Sequence, residues 1–360
     1  MQVDAGVVVD ALGGTAGATL VRAPGRVNLI GDHTDYNAGF CLPMAIDRDC
    51  VVGVRRDGSN RVRARSLDVE GHVAWTGAPP SAVEPAWGRF VAAATRRAAV
   101  DGAEIVVAST VPVGAGLSSS AALCVALVLA LDGEREPAAV AEAARAVEVE
   151  ASGVPVGLMD QLASVLGRAD AALLLDCRDA RGTPVPLPDG VRVGVVHSGL
   201  PRTLATSAYA ARRAACEAVA RRLGLAALRD ATPDQVRDDP AARHVVSENA
   251  RVLDAAAALR AGDVGRLGRL LVASHQSLRD DFAVSTPELD LLVELLLEEG
   301  AFGARLTGAG FGGCVVALTP PADEAGVLER AADRYASRTG LVPSAFPVRA
   351  AAGAGPVSVS

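Results

Sequence analysis

One stretch restricts the fold of this chain more than any other: Pro112-Val-Gly-Ala-Gly-Leu-Ser-Ser-Ser-Ala-Ala122. Before it, Glu104–Val111 (EIVVASTV) is short, β-branched and nearly continuous in apolar residues, which predicts a buried strand. After it, Ala121–Leu131 (AALCVALVLAL) is an apolar run of good helix formers, which predicts a buried helix. The loop between holds Pro112, Gly114, Ala115, Gly116, Leu117 and the three serines Ser118, Ser119 and Ser120. Glycine allows φ > 0 and close backbone approach, and the serines can cap the helix that follows. Such a strand–loop–helix leaves N–H groups free at the positive end of the helix dipole, a natural cradle for phosphate. A turn that does no more than start a buried helix fits the same residues, and the stretch alone leaves both readings open.

An absence narrows the chemistry. The chain contains no lysine; all 35 basic residues other than histidine are arginine. A phosphate loop of the G-x-x-x-x-G-K-[ST] type and the strand lysine of protein kinases are therefore excluded, as is a lysine Schiff base. A nucleotide on this loop must be held by amides, hydroxyls, arginine and a divalent ion. The net charge of −7 argues against a nucleic-acid surface. The six cysteines show no C-x-x-C spacing and the five histidines no zinc-site spacing, so the thiols read as reduced core residues. No leader-like N-terminus or bilayer-length apolar run is present, and a cytoplasmic protein without a membrane partner is expected.

With 360 residues, two domains are expected, 1–188 and 189–360, divided after the proline-rich stretch Pro184–Pro188. Residues 1–20 carry little pattern. Val27–Ile30 predicts a strand running into a dense polar loop, with Arg26 and Asn28 before it and Asp32, His33, Asp35 and Tyr36 within it. Polar groups at a strand end suit a polyhydroxylated ligand, because each can bond vicinal hydroxyls. Cys50–Arg56 and Arg61–Ser66 read as strands joined in a hairpin by Asp57-Gly-Ser-Asn60. Helices are expected at 87–100, 137–150, 207–223, 241–259, 263–280 and 287–299, strands at 171–176 and 191–197, and a polar linker at 231–240. Asp160, the one carboxylate between Glu150 and Asp170, follows the apolar piece GVPVGLM and is either a helix-start Asp or a working group. A second glycine loop, Gly308–Gly313, runs into the strand that ends at Leu318 and also reads as a tight hairpin. Residues 350–360 read as a small frayed tail. Two glycine loops in different halves, with a polar cluster between, imply a cleft shared by two domains.

Three segments, GRVNLIGDHTDYN (25–37), VPVGAGLSSSAAL (111–123) and RLTGAGFGGCVVAL (305–318), resemble in order and spacing the three motifs of the GHMP kinases, the first in its galactokinase form. VGLMDQLASVLG, SAYAARRAACEAVA, RHVVSENARVL and SHQSLRDDFAVSTPELD extend the likeness over about Val21–Leu318. The resemblance implies an α+β fold of two domains, an N-terminal α/β domain of the ribosomal-protein-S5-like type and a ferredoxin-like C-terminal domain, with the site in the cleft between. It implies an ATP- and Mg²⁺-dependent sugar 1-kinase, with galactose the expected substrate and a monomer the expected working form. Asp160 matches the catalytic base and Arg26 its neighbouring arginine. Residues 112–120 match the ATP phosphate loop, Ser119 and Glu148 the Mg²⁺ ligands (with Ser118 or Ser120 as alternatives to Ser119), and Asp32, His33, Asp35, Gly157 and Tyr209 the sugar contacts. The chain departs from the family text at Asp32, where Glu is usual. The side chain is about 1.5 Å shorter, which puts the identity of the sugar in question. Val156 is a smaller departure, at a position where cysteine is common. Other readings are a kinase for another aldose or amino sugar, and a sugar sensor without turnover. A homoserine- or mevalonate-type kinase is disfavoured by the Asp32-His33-Asp35 cluster.

Overall fold

A computed structural model describes residues 2–77, 79–200 and 205–358. The N-terminal unit begins with helix α1 (Ala5–Leu12), where the sequence shows little pattern; Asp4 caps it through the Gly6 amide and Gly13 ends it at φ 76°. The strands β1 (Ala18–Asn28), β2 (Phe40–Cys41), β3 (Pro43–Arg56), β4 (Val62–Ser66) and β5 (His72–Trp75) follow. Then come α2 (Gly88–Arg97), β6 (Ala103–Ser109), α3 (Ser119–Asp132), α4 (Pro137–Ser152), α5 (Met159–Leu166), β7 (Ala171–Asp176) and β8 (Arg181–Pro186). The C-terminal unit contributes β9 (Arg192–His197), α6 (Ala205–Arg222), α7 (Pro240–Arg260), α8 (Val264–Asp280), α9 (Pro287–Glu298), β10 (Gly303–Thr307), β11 (Cys314–Thr319), α10 (Glu324–Thr339) and β12 (Ser344–Val348). A final short strand, β13 (Gly355–Pro356), returns to the first sheet.

That sheet has six strands in the order β13-β1-β3-β6-β4-β5. It is covered on both sides, which explains the unbroken apolar run of β6. Ile105 and Val107 face the core built with α2, α3 and α4, while Val106 and Ala108 face Val8, Val9 and Leu12 of α1. The expected hairpin at 57–60 is corrected here. β6 lies between β3 and β4, antiparallel to the first (Val54↔Ile105) and parallel to the second (Ala64↔Ile105). The turn itself forms, with Asp57 accepting from the Ser59 amide, but it closes over the end of β6 rather than onto β3. A Cβ at Gly102 would lie 1.9 Å from the Ser59 carbonyl, so this crossing needs glycine. The more apolar strand takes the interior place, and Arg63 stays near the edge.

The second sheet, β10-β11-β9-β12, is antiparallel throughout. In the unit's own order this is second, third, first, fourth strand, the ferredoxin-like arrangement. One face packs on α9 and α10 through Leu306, Val315 and Ala317. The other meets β1, β2 and β3 in a shared cluster of Val195, Val316 and Leu318 with Val27, Ile30 and Met44, so one core joins both units. A three-stranded sheet, β2-β7-β8, flanks this junction. Pro184 and Pro186, at the expected boundary, lie in β8 at its edge.

Two further expectations change. Residues 231–240 are not loose linker, since Ala231 and Val236 are buried in the C-terminal core. Residues 350–357 are not frayed; they run as a strap along the N-terminal unit. None of the six cysteines forms a disulfide; Cys177 is half-buried and the others are buried. Among the described residues no helix is long and apolar enough to cross a membrane.

Candidate active site

A cavity of about 740 Å³ opens between the units. Three loops form part of its wall: the polar loop after β1, the glycine–serine loop between β6 and α3, and Gly308–Ala309 of the second glycine loop.

Asp160 sits in the first turn of α5, lining this cavity. Its Oδ1 accepts from Arg26 Nε at 2.8 Å and lies 2.7 Å from Nη2; its Oδ2 accepts from Ser118 Oγ at 2.5 Å. Arg26 is almost wholly buried near the end of β1, and its Nη1 also donates to the Gly116 carbonyl at 2.7 Å. The carboxylate of one element is thus tied to the strand of another and to the loop of a third. Gly25 makes this convergence possible: a Cβ there would lie 2.7 Å from the Leu117 carbonyl.

The glycine–serine loop has φ > 0 at Gly114 (75°), Gly116 (82°) and Ser118 (63°), every second residue. Such alternation is the pattern of a backbone nest that binds anions, and it leads directly into the N-terminus of α3. The expectation that the serines cap α3 is corrected: Ser118 makes no capping bond. Its hydroxyl goes to Asp160, and that of Ser120 goes to Glu148 Oε1 at 2.5 Å. Ser119, expected beside Glu148, does not make that contact. A serine in left-handed backbone costs on the order of 1 kcal/mol or more, a strain found at functional sites.

Glu148, on α4, also accepts from Gln161 Nε2 at 2.6 Å. Burial pushes its carboxyl up to about 7. A buried carboxylate whose direct partners are two neutral groups, with Arg26 acting on it only through space, has capacity left for a positive ion. Among the described residues no three His, Cys, Asp or Glu side chains gather into a metal cluster. A cation at Glu148 would therefore need further ligands from a bound phosphate chain.

The polar loop after β1 is held largely from the C-terminal unit. Glu248 of α7 accepts from the Gly31 amide, Asn249 from the Phe40 amide, and His244 Nε2 reaches the Asp32 carbonyl. Asp32 is buried and paired with the fully buried Arg305 of β10, which also donates to the carbonyls of Asn28 and Leu29. Burial raises the Asp32 carboxyl, against the pull of Arg305 and Arg26. His33 Nε2 meets the Ala309 carbonyl, which can only accept, so Nδ1 takes the Tyr36 hydroxyl proton at 2.9 Å. Burial drives His33 down to about 3, and the ring is neutral, stacked among Tyr36, Tyr209 and Phe282. Asp35 lies against Gly157, where a Cβ would fall 1.6 Å from Oδ2. Burial first, then the charge of Asp160, lifts its carboxyl to about 6.

Most of the expected residues line one cavity, including Gly157, Asp160 and Tyr209, whereas Ala115 and Leu117 turn into the core beneath the glycine–serine loop and Glu148 stands behind the wall, bonded to Ser120. Asp32 and His33 are held by Arg305, Tyr36 and the Ala309 carbonyl, whereas Asp35 accepts from the backbone amides of Tyr36 and Met159 and Tyr209 meets the Gly157 backbone. Arg305 and Gln161 were quoted in the motifs without a role. The signal for Arg305 is physical: an arginine inside an apolar strand needs a carboxylate, as Asp32 beside an apolar strand end needs a cation. Trp87, Phe90 and Leu123, which line an apolar arm of the cavity, carried no site signal in the sequence because they read as ordinary helix residues.

Residues 10–56 match the galactokinase galactose-binding signature, 85–168 the GHMP kinase N-terminal domain and 255–337 the GHMP kinase C-terminal domain. A galactokinase of Roseiflexus sp. (strain RS-1) is 44% identical over 94% of this chain and 93% of its own length. The chain belongs to the galactokinase family. Among solved structures, the galactokinase of Lactococcus lactis complexed with galactose matches with a TM-score of 0.90 at 26% identity, covering 98% of this chain and 99% of that one. The mevalonate kinase of Methanococcus jannaschii, at 19% identity and TM-score 0.69 over 94% and 99%, shares the fold. Galactokinase-family membership makes this chain a sugar kinase of the GHMP superfamily, with the two-domain GHMP fold.

Proposed function

We propose that this chain transfers the γ-phosphoryl group of ATP to the anomeric hydroxyl of galactose, with Asp160 as general base. The observation that carries the reading is the Asp160 carboxylate, gripped by Arg26 and Ser118 where the polar loop and the glycine–serine nest meet. A sugar hydroxyl is a weak nucleophile until its proton leaves. A carboxylate placed to take it contributes about 10²–10⁴-fold. Arg26, already on Asp160 and the Gly116 carbonyl, stabilises negative charge as it shifts from base to hydroxyl oxygen. Most of the remaining work is positioning of two substrates.

The sugar lies against Asp35, Gly157 and Tyr209, with Asp32 and His33 shaping the pocket from behind. Phosphates lie on residues 112–120 in the lysine-free cradle. The nucleobase enters the apolar arm, where the buried Trp87 indole N–H has no protein acceptor. Glu148 and Ser120 hold Mg²⁺ together with the phosphates; the ion, when bound, neutralises charge on the phosphate oxygens. A single chain in the cytoplasm fits this reading, because the sugar, phosphate-loop and base residues line one cavity with Glu148 reached through Ser120, and six thiols outside any disulfide suit a reducing compartment. A sensor without turnover would have no use for the intact set Arg26, Ser118, Glu148 and Asp160. The test is a panel of aldoses with ATP and Mg²⁺, reading ADP release and the position of phosphate on the product. Galactose should be the best substrate, phosphorylated at its anomeric oxygen; an inert galactose beside a well-used sugar overturns the reading.

A further inference from the structure

The strap 350–357 runs beside the two elements that carry the Arg26–Asp160 pair. Its Ala354 amide donates to the Ser164 carbonyl and its Gly353 amide to the Gly167 carbonyl, both at 2.8 Å, in the last turn and just past the end of α5. An eight-residue helix such as α5 leaves its final carbonyls without partners of its own. On the other side, the strap pairs with β1 at Val21 and Arg22, and the Val357 amide donates to Leu20. Arg22 Nη2 donates to the Ala352 carbonyl at 3.0 Å, and the Ala351 amide to Ala45 of β3. Ser164 Oγ in turn donates to the Pro24 carbonyl, closing a ring between α5, β1 and the strap. The fit is close: a Cβ on Gly353 would stand 2.2 Å from the Val165 carbonyl, and one on Gly167 3.0 Å from the Ala351 carbonyl.

We infer that the segment 350–357 is part of the catalytic frame, with Gly353 a positioning residue that sets Asp160 against Arg26 by fixing the end of α5 on β1. The strap's hydrogen bonds run to α5, β1 and β3 and not to the polar loop or the glycine–serine nest, so its effect falls on the chemical step and not on sugar binding. A displacement of about 1 Å at a reacting group can cost on the order of a hundredfold in rate. This inference rests on Asp160 being the base.

Gly353 and Gly355 supply a matched pair of substitutions. Neither has φ > 0, and a Cβ at Gly355 meets nothing within 4 Å. Gly353→Ala and Gly355→Ala are compared well below each variant's melting temperature, by turnover with saturating ATP and galactose and by calorimetric galactose affinity. The expected result is at least about a tenfold loss of kcat in Gly353→Ala with galactose affinity kept within twofold, and parental values in Gly355→Ala. A folded Gly353→Ala with parental kcat overturns the inference, as does an equal loss of kcat and affinity. Should Gly353→Ala not fold, Arg22→Lys tests the same ring more gently. Lysine keeps a cation for Asp49 but cannot also hold the strap carbonyls, and a parental kcat there overturns the inference. Asp160→Asn, measured alongside, separates failure of the strap from failure of the base assignment.

Discussion

Asp160 lines the cavity and Glu148 stands just behind its wall, joined to it through Ser120, and the two carboxylates are held in opposite ways. Asp160 is anchored on one oxygen by a guanidinium and on the other by a hydroxyl. In Asp160→Asn the amide oxygen can face Arg26, and the Ser118 hydroxyl can turn to accept from the new NH₂ group. The fold should therefore survive, sugar affinity should stay within about tenfold, and turnover should fall by at least about a hundredfold. Turnover within tenfold of the parent would remove Asp160 from the role of base. Glu148 titrates at about 7 in the folded chain against 4.5 for a free side chain, because burial disfavours its charge. Between those values the folded state holds a proton that the unfolded state releases, so this group's contribution to stability falls as pH rises, and the loss is complete above about 7. Glu148→Gln should match the parent near about pH 5 and exceed it by roughly 2–3 kcal/mol near about pH 8, measured by denaturant unfolding without ligand. Gln161, whose Oε1 is unpartnered, can turn to accept from the new amide. Phosphoryl transfer in that variant should drop at least about tenfold if Glu148 holds the cation. The acidic and glycine-rich motifs made these groups readable in sequence. Pairing among three adjacent serines was not readable, because which hydroxyl faces which carboxylate depends on the left-handed turn at Ser118.

At the scale of elements, the glycine–serine loop is the part whose backbone does the binding. Gly116 stands at φ 82°, receives Arg26 on its carbonyl and lies close to Gly308, where a Cβ would stand 3.2 Å from the Gly116 carbonyl oxygen. Gly116→Val would strain the backbone by roughly 1–3 kcal/mol and fill the nest. ATP affinity should fall at least about tenfold, while galactose affinity measured without nucleotide moves less than about threefold. Losses of equal size for both ligands would detach the loop from phosphate. Strand and helix identity were largely legible, since β6 and α3 declare themselves by apolar runs and α4 by Pro137 and Gly153. Neighbourhood within the sheet was not. The insertion of β6 between β3 and β4 is decided by competition for the sheet interior, and a turn signal at 57–60 reports only that the chain bends. The strap escaped notice for a different reason. Its run of Ala and Gly has no apolar period, and what binds it is backbone amides together with the lack of side chains.

For the molecule as a whole, Arg305 is the rivet between the units. It lies in the C-terminal sheet, yet bonds Asn28, Leu29 and Asp32 of the N-terminal unit, all out of solvent. Arg305→Met should cost about 3–5 kcal/mol, because Asp32 is left buried and unpaired, and Asp32→Asn in the same chain should recover part of that loss. Thermal unfolding followed by calorimetry decides it; additive losses in the double variant would show that the pair is not coupled. The ferredoxin-like order of the second sheet and the two-unit plan follow from the motifs, whereas the ion pair buried in their shared core depends on one charged residue in an apolar strand. The return of β13 to the first sheet also has a bearing on synthesis. Its residues leave the ribosome after the entire C-terminal unit, so the half of the protein made first cannot close its sheet edge, or settle α5, until the second half has been translated. The N-terminal unit expressed alone would therefore present β1 as an open edge.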